Sequence, residues 1–455
     1  MKIGIAGAGA GKTTTMADTI IQFHSEIDDY KKIFCITFTN NAVKCISEKL
    51  QEHYGCIPDN IVVSTIHSFL YQEFVRPYNY LLFVKQYERI SAAKLPGAPV
   101  YKSAMISRLE KKNILHQTVI PERAKWIIVK KSKDTKEIKE KRNIVRSNFK
   151  SYCGAICIDE AQDIDGDMLD IIESLHKLGI EILLMGDPKQ DLKGHKCLRK
   201  LAINYPDAVE YFTHCYRCPQ NHLLISNLFV ADAEKQYSGK ENGSVVVCFS
   251  SDKNITDLLY EKNFDLKFIS KKQGIYETHT REKSKDIRES LCEEISIVIQ
   301  NNHPNITELE CMRKSYYLGE ILLSNYERCK DKKEAINQTF KIESLNDNKV
   351  YGRIINLISN ERNENENELI YINSIDSIKG QEGNNCLLIL TTDLADYLFG
   401  VKSEETIIKN RLYVGLTRSL EKLTIYITPE VERKHGKENI KAFFNSLECK
   451  VLNDS

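Results

Sequence analysis

In "AGAGAGKTT" (6–14) an apolar, strand-like start runs into six small residues, Ala6, Gly7, Ala8, Gly9, Ala10 and Gly11, and then Lys12, Thr13 and Thr14. Residues this small let backbone N–H groups come close to phosphate oxygens. The lysine can reach the β- and γ-phosphates of a nucleotide, and the Thr13 hydroxyl can ligate Mg²⁺. A helix opening near Thr13 would add the partial positive charge of its N-terminus. Ala6 stands where the phosphate-loop pattern asks for glycine, but Gly7, Gly9 and Gly11 still permit the tight turn.

Such a loop needs an acidic partner. "AICIDEAQDI" (155–164) supplies one, an apolar strand ending in Asp159 and Glu160. Asp159 would hold Mg²⁺ through water, and Glu160 would orient or deprotonate the attacking water. Phosphoryl transfer also needs positive charge on the developing γ-phosphate oxygens. Arg217 in "HCYRCP" and Arg418 in "RLYVGLTRS" stand in suitable contexts. Both are far from the loop in sequence, so a second lobe must fold over the nucleotide to deliver them. Hydrolysis would then become lobe movement. The plainer reading makes each a surface ion-pair arginine. His214, Cys215, Cys218 and His222 crowd the same stretch, but structural zinc sites usually separate their ligand pairs by a longer connector.

The elements that must position these residues are apolar, β-branched runs: 2–7, 32–39, 60–65, 154–160, 180–187, 243–250, 368–374, 386–392 and 422–428. Continuous apolarity suits strands buried on both faces of a parallel sheet. Helical patterns lie between them, as at 13–25 and 40–53. The fold class expected is α/β, with two parallel-sheet lobes and mostly helical insertions. The first lobe takes residues 1–69 and 151–217, interrupted by a basic helical insertion at 70–150. The second takes 218–274 and 366–455, interrupted by a charge-rich insertion at 275–365. Within it, "SNERNENENE" (359–368) reads as an exposed loop.

Net charge is +1, yet residues 101–150 hold 15 Lys/Arg against 5 Asp/Glu. A local excess of this kind suits nucleic acid as well as a solvated helical face. The 14 cysteines follow no framework spacing, and neither a signal segment nor a membrane-length apolar run is evident. A cytoplasmic, reduced protein with no membrane contact is expected.

In order along the chain, "AGAGAGKTT", "TFTNNA" (37–42), "STIHSF" (64–69), "IDEAQD" (158–163), "MGDPKQDL" (185–192), "CYRCP" (215–219), "SIDSIKGQEG" (374–383) and "RLYVGLTR" (411–418) resemble motifs I, Ia, Ib, II, III, IV, V and VI of superfamily 1 helicases of the UvrD/Rep type. The resemblance implies two RecA-like lobes with insertions of the 1B kind and a reduced 2B kind. It implies hydrolysis of ATP, or of other ribo- or deoxynucleoside triphosphates, with Mg²⁺. Gln190 would sense the γ-phosphate, and Arg217 and Arg418 would be the γ-phosphate arginines. Gly380 and Glu382 would lie near the sugar. Thr39, Asn40, Thr65 and His67 would line a path for single-stranded DNA, with nearby aromatic rings stacking on bases.

Two departures bear on substrate. Only three residues precede Gly4, so the glutamine motif that contacts adenine in this family is absent, and use of GTP or deoxynucleotides becomes plausible. Asp376 replaces a common histidine in the motif V stretch. The "IDE.QD…GDPKQ" block and "YRCPQ" followed by "SNLF" also resemble the helicase-like subunits of Gabija antiphage systems. That resemblance implies a hetero-oligomer with an ATPase/nuclease subunit of the overcoming-lysogenization-defect (OLD) type, and activation by DNA ends. Two functions remain open: a DNA helicase or translocase in defence or repair, and a DNA-activated NTPase switch that controls a partner without unwinding.

Overall fold

The computed structural model describes residues 1–93, 95, 99–131, 133–240, 243–278, 283–329, 331–341, 345, 347–359, 370–447 and 449–451. Beyond Ser359, the polar run expected as an exposed loop lies outside the described residues.

Two six-stranded sheets dominate. The first comprises β1 (Lys2–Ala6), β2 (Lys32–Thr37), β3 (Ile61–Thr65), β4 (Cys153–Ile158), β5 (Glu181–Gly186) and β6 (Val209–Phe212). The second comprises β7 (Ser244–Phe249), β8 (Leu266–Ile269), β9 (Asn373–Ser374), β10 (Gly383–Leu390), β11 (Ser419–Ile427) and β12 (Lys450–Val451). Their spatial orders are β3-β2-β4-β5-β1-β6 and β9-β8-β10-β11-β7-β12, so the second repeats the first strand for strand. Every pairing is parallel. This is the two-sheet, RecA-like α/β architecture expected from the sequence.

The strands alternate faces. Ile33 and Cys35 of β2 join a core with Met16, Ala17, Ile20 and Phe23 of helix Lys12–Glu26. Those helical positions repeat at the spacing of one apolar stripe. Phe34 and Ile36 point the other way, into a core completed by Phe69, Phe74, Ile127 and Phe149. The Phe34 and Phe149 rings stack with centroids 5.8 Å apart. Much of the basic segment 70–150 therefore packs as a cover for one face of the first sheet. Among its cations, Lys125 bridges Asp167 and Asp170 at 3.0 and 2.6 Å, and Arg142 is buried against Asp134. Lys130, Lys133, Lys136 and Lys139 stay exposed.

Three strands were not legible as apolar runs: β6, β8 and β12. β6 ("VEYF") is an edge strand with Glu210 and Tyr211 exposed, and β8 ("LKFI") is interrupted by Lys267. The run expected as one strand over 368–374 is divided between Ile370–Tyr371, which pairs with Tyr276–Glu277, and β9 in the second sheet.

The chain forms two compact units, one of Met1–Ala93, Ile106–Lys271 and Asn373–Ser455, which holds both sheets, and one of Lys94–Met105 and Lys272–Ile372. In the second unit, helices Lys283–Asn302, Glu308–Cys329, Lys332–Thr339 and Asn348–Ser359 close around Leu291, Ile295, Leu322, Ile336 and Ile354. Among the described residues, no helix is long and apolar enough to cross a membrane.

Candidate nucleotide cleft

The loop after β1 turns on Gly9 and Gly11, whose φ angles of 68° and 75° lie in the left-handed region. A side chain at Gly9 would also collide with Arg217, 2.3 Å from its Cβ. Gly11 then caps helix Lys12–Glu26, and its carbonyl accepts from the N–H groups of Thr14 and Thr15 at 2.9 and 3.0 Å. The Lys12 ammonium reaches back to the carbonyls of Ala6 and Gly7, both at 3.4 Å. These are long, weak contacts that leave it available to an anion.

A cleft of about 440 Å³ opens over this loop, lined by Gly9, Ala10, Gly11, Lys12, Thr13 and Thr14 on one side. Glu160, Tyr216, Arg217, Lys240, Glu382 and Leu420 complete it. The first and second sheets thus both contribute walls, and Lys12, Thr13, Thr14, Glu160, Arg217 and Glu382 meet in one place. Ala6 and Ala8 are buried beneath the loop, and Gly380, with φ 85°, stays outside the lining. Lys49, on helix Asn40–Tyr54, donates to the Thr14 hydroxyl at 2.5 Å, a cation that no motif announced.

Asp159 and Glu160 follow β4. Glu160 adopts φ 53°, a left-handed conformation uncommon outside glycine and stored here at the cleft wall. Its N–H donates to Asp159 Oδ1 at 2.9 Å, and Gln162 donates to its carboxylate. Burial, with the neighbouring Glu160 charge, pushes the Asp159 carboxyl up to about 6, while Lys12 works in the opposite sense. An added cation would relieve that penalty. The Thr13 hydroxyl has no protein partner among the described residues. Hydroxyl and carboxylate oxygens are donors of the kind Mg²⁺ takes, so Thr13 and Asp159 suit it.

Gln190 is buried after β5, and its Nε2 donates to Asp187 at 2.9 Å. The Asp187 N–H donates in turn to Gln162 at 3.0 Å, which joins the β5 loop to the acidic pair. Arg217 is ion-paired to Glu382 at 2.6 Å.

Arg418 is placed differently. It is 1% exposed and donates to the carbonyls of Val414 and Gln381 at 3.0 and 3.3 Å and to the Thr417 hydroxyl at 3.4 Å. No carboxylate pairs with it among the described residues. Burial, reinforced by the Arg217 charge, lowers its guanidinium to about 10. A buried arginine without an anion carries a desolvation cost that a bound anion would offset.

Thr39 and Asn40 are exposed at the start of helix Asn40–Tyr54, where the Thr39 hydroxyl accepts from Ala42 N–H at 3.2 Å. Thr65 caps helix Ile66–Leu70 in the same way, and Thr37 and Thr65 are register partners of β2 and β3. These residues therefore share one edge of the first sheet. His67 is half-buried beside them, and burial lowers its imidazole below the ordinary value. Asp376 is held by Arg411 at 3.0 and 2.6 Å.

The cysteine-rich stretch is also explained locally. Cys215 and Cys218 are buried, the His214 ring lies against Tyr216 and Tyr237, and His222 faces the Ser244 carbonyl. Sequence reasoning missed Lys49, Gln236 and Tyr413, which meet the loop and the helix it opens only through tertiary contact, and Lys240, which lines the cleft and donates to the Arg217 carbonyl.

Residues 1–195 match the AAA domain family. The chain is 28% identical over 262 residues to the Gabija protein GajB of Bacillus cereus (strain VD045), covering 56% of this chain and 51% of that protein. The match spans about half the length of that curated relative. Residues 1–195 thus match an AAA domain, and the chain resembles Gabija protein GajB over about half its length.

Proposed function

We propose that the protein is an NTP-dependent, DNA-stimulated motor of the UvrD-like superfamily 1 type. The observation that carries this reading is one cleft, walled by both parallel sheets, in which Lys12, Glu160 and Arg217 meet. Arg418 lies buried near enough to feel the Arg217 charge, with no carboxylate paired to it among the described residues. Lys12 grips the β- and γ-phosphates. Thr13 and Asp159 hold Mg²⁺, which when bound neutralises charge on the phosphates. Glu160 orients and deprotonates the attacking water, and Gln190 senses the γ-phosphate through the Asp187–Gln162 link. Arg217 leaves Glu382 for the γ-phosphate, and Arg418 adds a second positive charge from behind it. The exposed Tyr216 ring offers a stacking face to any base. A face that stacks on any base favours relaxed nucleotide choice, ATP, GTP or deoxynucleotides.

The two lobes are residues 1–69 with 151–217 and residues 218–274 with 366–455. Residues 70–150 and 275–365 are the 1B-like and reduced 2B-like insertions. Thr39, Asn40, Thr65 and His67 carry single-stranded DNA across the edge formed by β2 and β3. Similarity to GajB supports a role in antiphage defence beside an OLD-type nuclease subunit, with DNA ends as the trigger.

Steady-state hydrolysis with and without single-stranded DNA, run beside a strand-displacement assay, tests this reading. Stimulated hydrolysis with displacement supports the motor. Stimulated hydrolysis without displacement converts it to a regulatory NTPase switch. Absence of both nucleotide binding and hydrolysis sinks it.

A further inference from the structure

Helix Ile407–Leu416 belongs to the second sheet, into whose core it sends Leu412, Val414 and Leu416. Tyr413 faces elsewhere. It is 2% exposed, and its hydroxyl accepts the Ala8 N–H of the phosphate loop at 3.0 Å and donates to Gln236 Oε1 at 2.8 Å. Gln236 Nε2 and the Cys215 thiol both donate to the Ala8 carbonyl, at 3.0 and 3.1 Å. The Ala8 peptide is therefore held at both ends by residues distant in sequence. Gln236 cannot shift freely: Asn227 fixes its backbone at 3.0 and 2.7 Å, and its side chain fills the space a Cβ on Gly7 would occupy.

The same ring stacks beneath Lys189, whose ammonium is 5.1 Å from the ring centroid and bound to Asp187 and Glu234 at 3.0 and 2.9 Å. Asp187 is also the partner of Gln190. On the other side, Arg418 hangs by its Nε from the carbonyl of Val414, the residue next to Tyr413. The Tyr413 side chain thus touches the phosphate loop and the Lys189–Asp187–Gln190 group, while its backbone carbonyl accepts from the Thr417 hydroxyl, next to Arg418, at 2.9 Å.

Resting on the nucleotide-hydrolysing reading, we propose that Tyr413 is a positioning residue for phosphoryl transfer: its hydroxyl, between the Ala8 peptide and Gln236, sets the spacing between the phosphate loop and the turn after helix Ile407–Leu416 that carries Arg418. Lys12 and the loop N–H groups bind the nucleotide without it. The spacing of Arg418 from the γ-phosphate matters only as charge develops there, so loss of the hydroxyl falls on turnover rather than on affinity.

Tyr413→Phe keeps the ring and removes the oxygen. Its kcat should fall about 10-fold or more with KM within about twofold, as expected for a misplaced transition-state contact. The thermal midpoint should stay near wild type, and hydrogen exchange of the 6–11 backbone should speed up. Gln236→Met, which spares the ring, should act in the same direction, and the double variant should be no worse than the poorer single. An unchanged kcat in Tyr413→Phe overturns the inference alone, provided wild type hydrolyses nucleotide. Losses in kcat, KM and melting that fall together, or single effects that multiply in the double variant, assign these residues to folding and also overturn it. A wild type that binds no nucleotide overturns the proposed function itself.

Discussion

Arg217 Nε and Glu382 Oε2 meet at 2.6 Å in the wall of the cleft opposite Lys12, joining the segment after β6 to the start of β10. The pair is partly exposed, so water screens it and its own contribution to stability is small. Its consequence is competition, because a γ-phosphate must take Arg217 from Glu382. Glu382→Gln keeps a polar side chain and removes one negative charge. Triphosphate affinity should rise by about two- to fivefold at low salt, within the range of a screened ion pair. Titration with a non-hydrolysable analogue checks this, and weaker binding would assign Glu382 a direct nucleotide contact.

Lys12 and Glu160 should separate binding from chemistry. Lys12→Ala removes the one cation the loop itself directs at the cleft, and nucleotide binding should be lost. Retained hydrolysis would refute the site. Glu160→Gln should bind nucleotide as wild type does and lose about 10²-fold or more in turnover, the usual effect of removing a water-activating base. A collapse of affinity with chemistry intact would instead make Glu160 structural.

Asp159 predicts a pH dependence. Its folded-state value of about 6 exceeds the ordinary 3.8, so between these limits the folded chain holds a proton that the unfolded chain has released. This group's contribution to stability therefore falls as pH rises through that window in the nucleotide-free protein. Mg²⁺ favours the ionised carboxylate, so Mg²⁺-dependent nucleotide affinity should rise over the same window and level off above it. Calorimetric titration from pH 5 to 8 measures it. A slope that persists in Asp159→Asn would place the titrating group elsewhere.

DNA binding divides the lysines of 125–141. Lys130, Lys133, Lys136 and Lys139 are exposed, and changing these four to glutamate should weaken single-strand binding and flatten its salt dependence. Lys125 is held by Asp167 and Asp170, so Lys125→Glu should lower the melting temperature instead. An unchanged salt slope in the fourfold variant would move the strand's path off this surface.

What the sequence by itself determined is the local chemistry. The glycine spacing that turns the loop and the acidic pair at the end of an apolar strand each act over a few residues, so each is written contiguously. The doubly buried strands were legible for a related reason, since burial on two faces demands apolar residues at every position. Edge strands such as Val209–Phe212, where Glu210 and Tyr211 are exposed, carry no such demand. Tertiary structure alone decided which charges remain available. Arg142 and Lys125 lie in a basic run yet are occupied internally, whereas Arg418 is enclosed with no carboxylate paired to it among the described residues. It also decided the hold on Ala8, where Tyr413 and Gln236 arrive from 405 and 228 positions away. A hydrogen bond depends on where two atoms come to rest, and for residues this far apart only the packing of both sheets sets that distance.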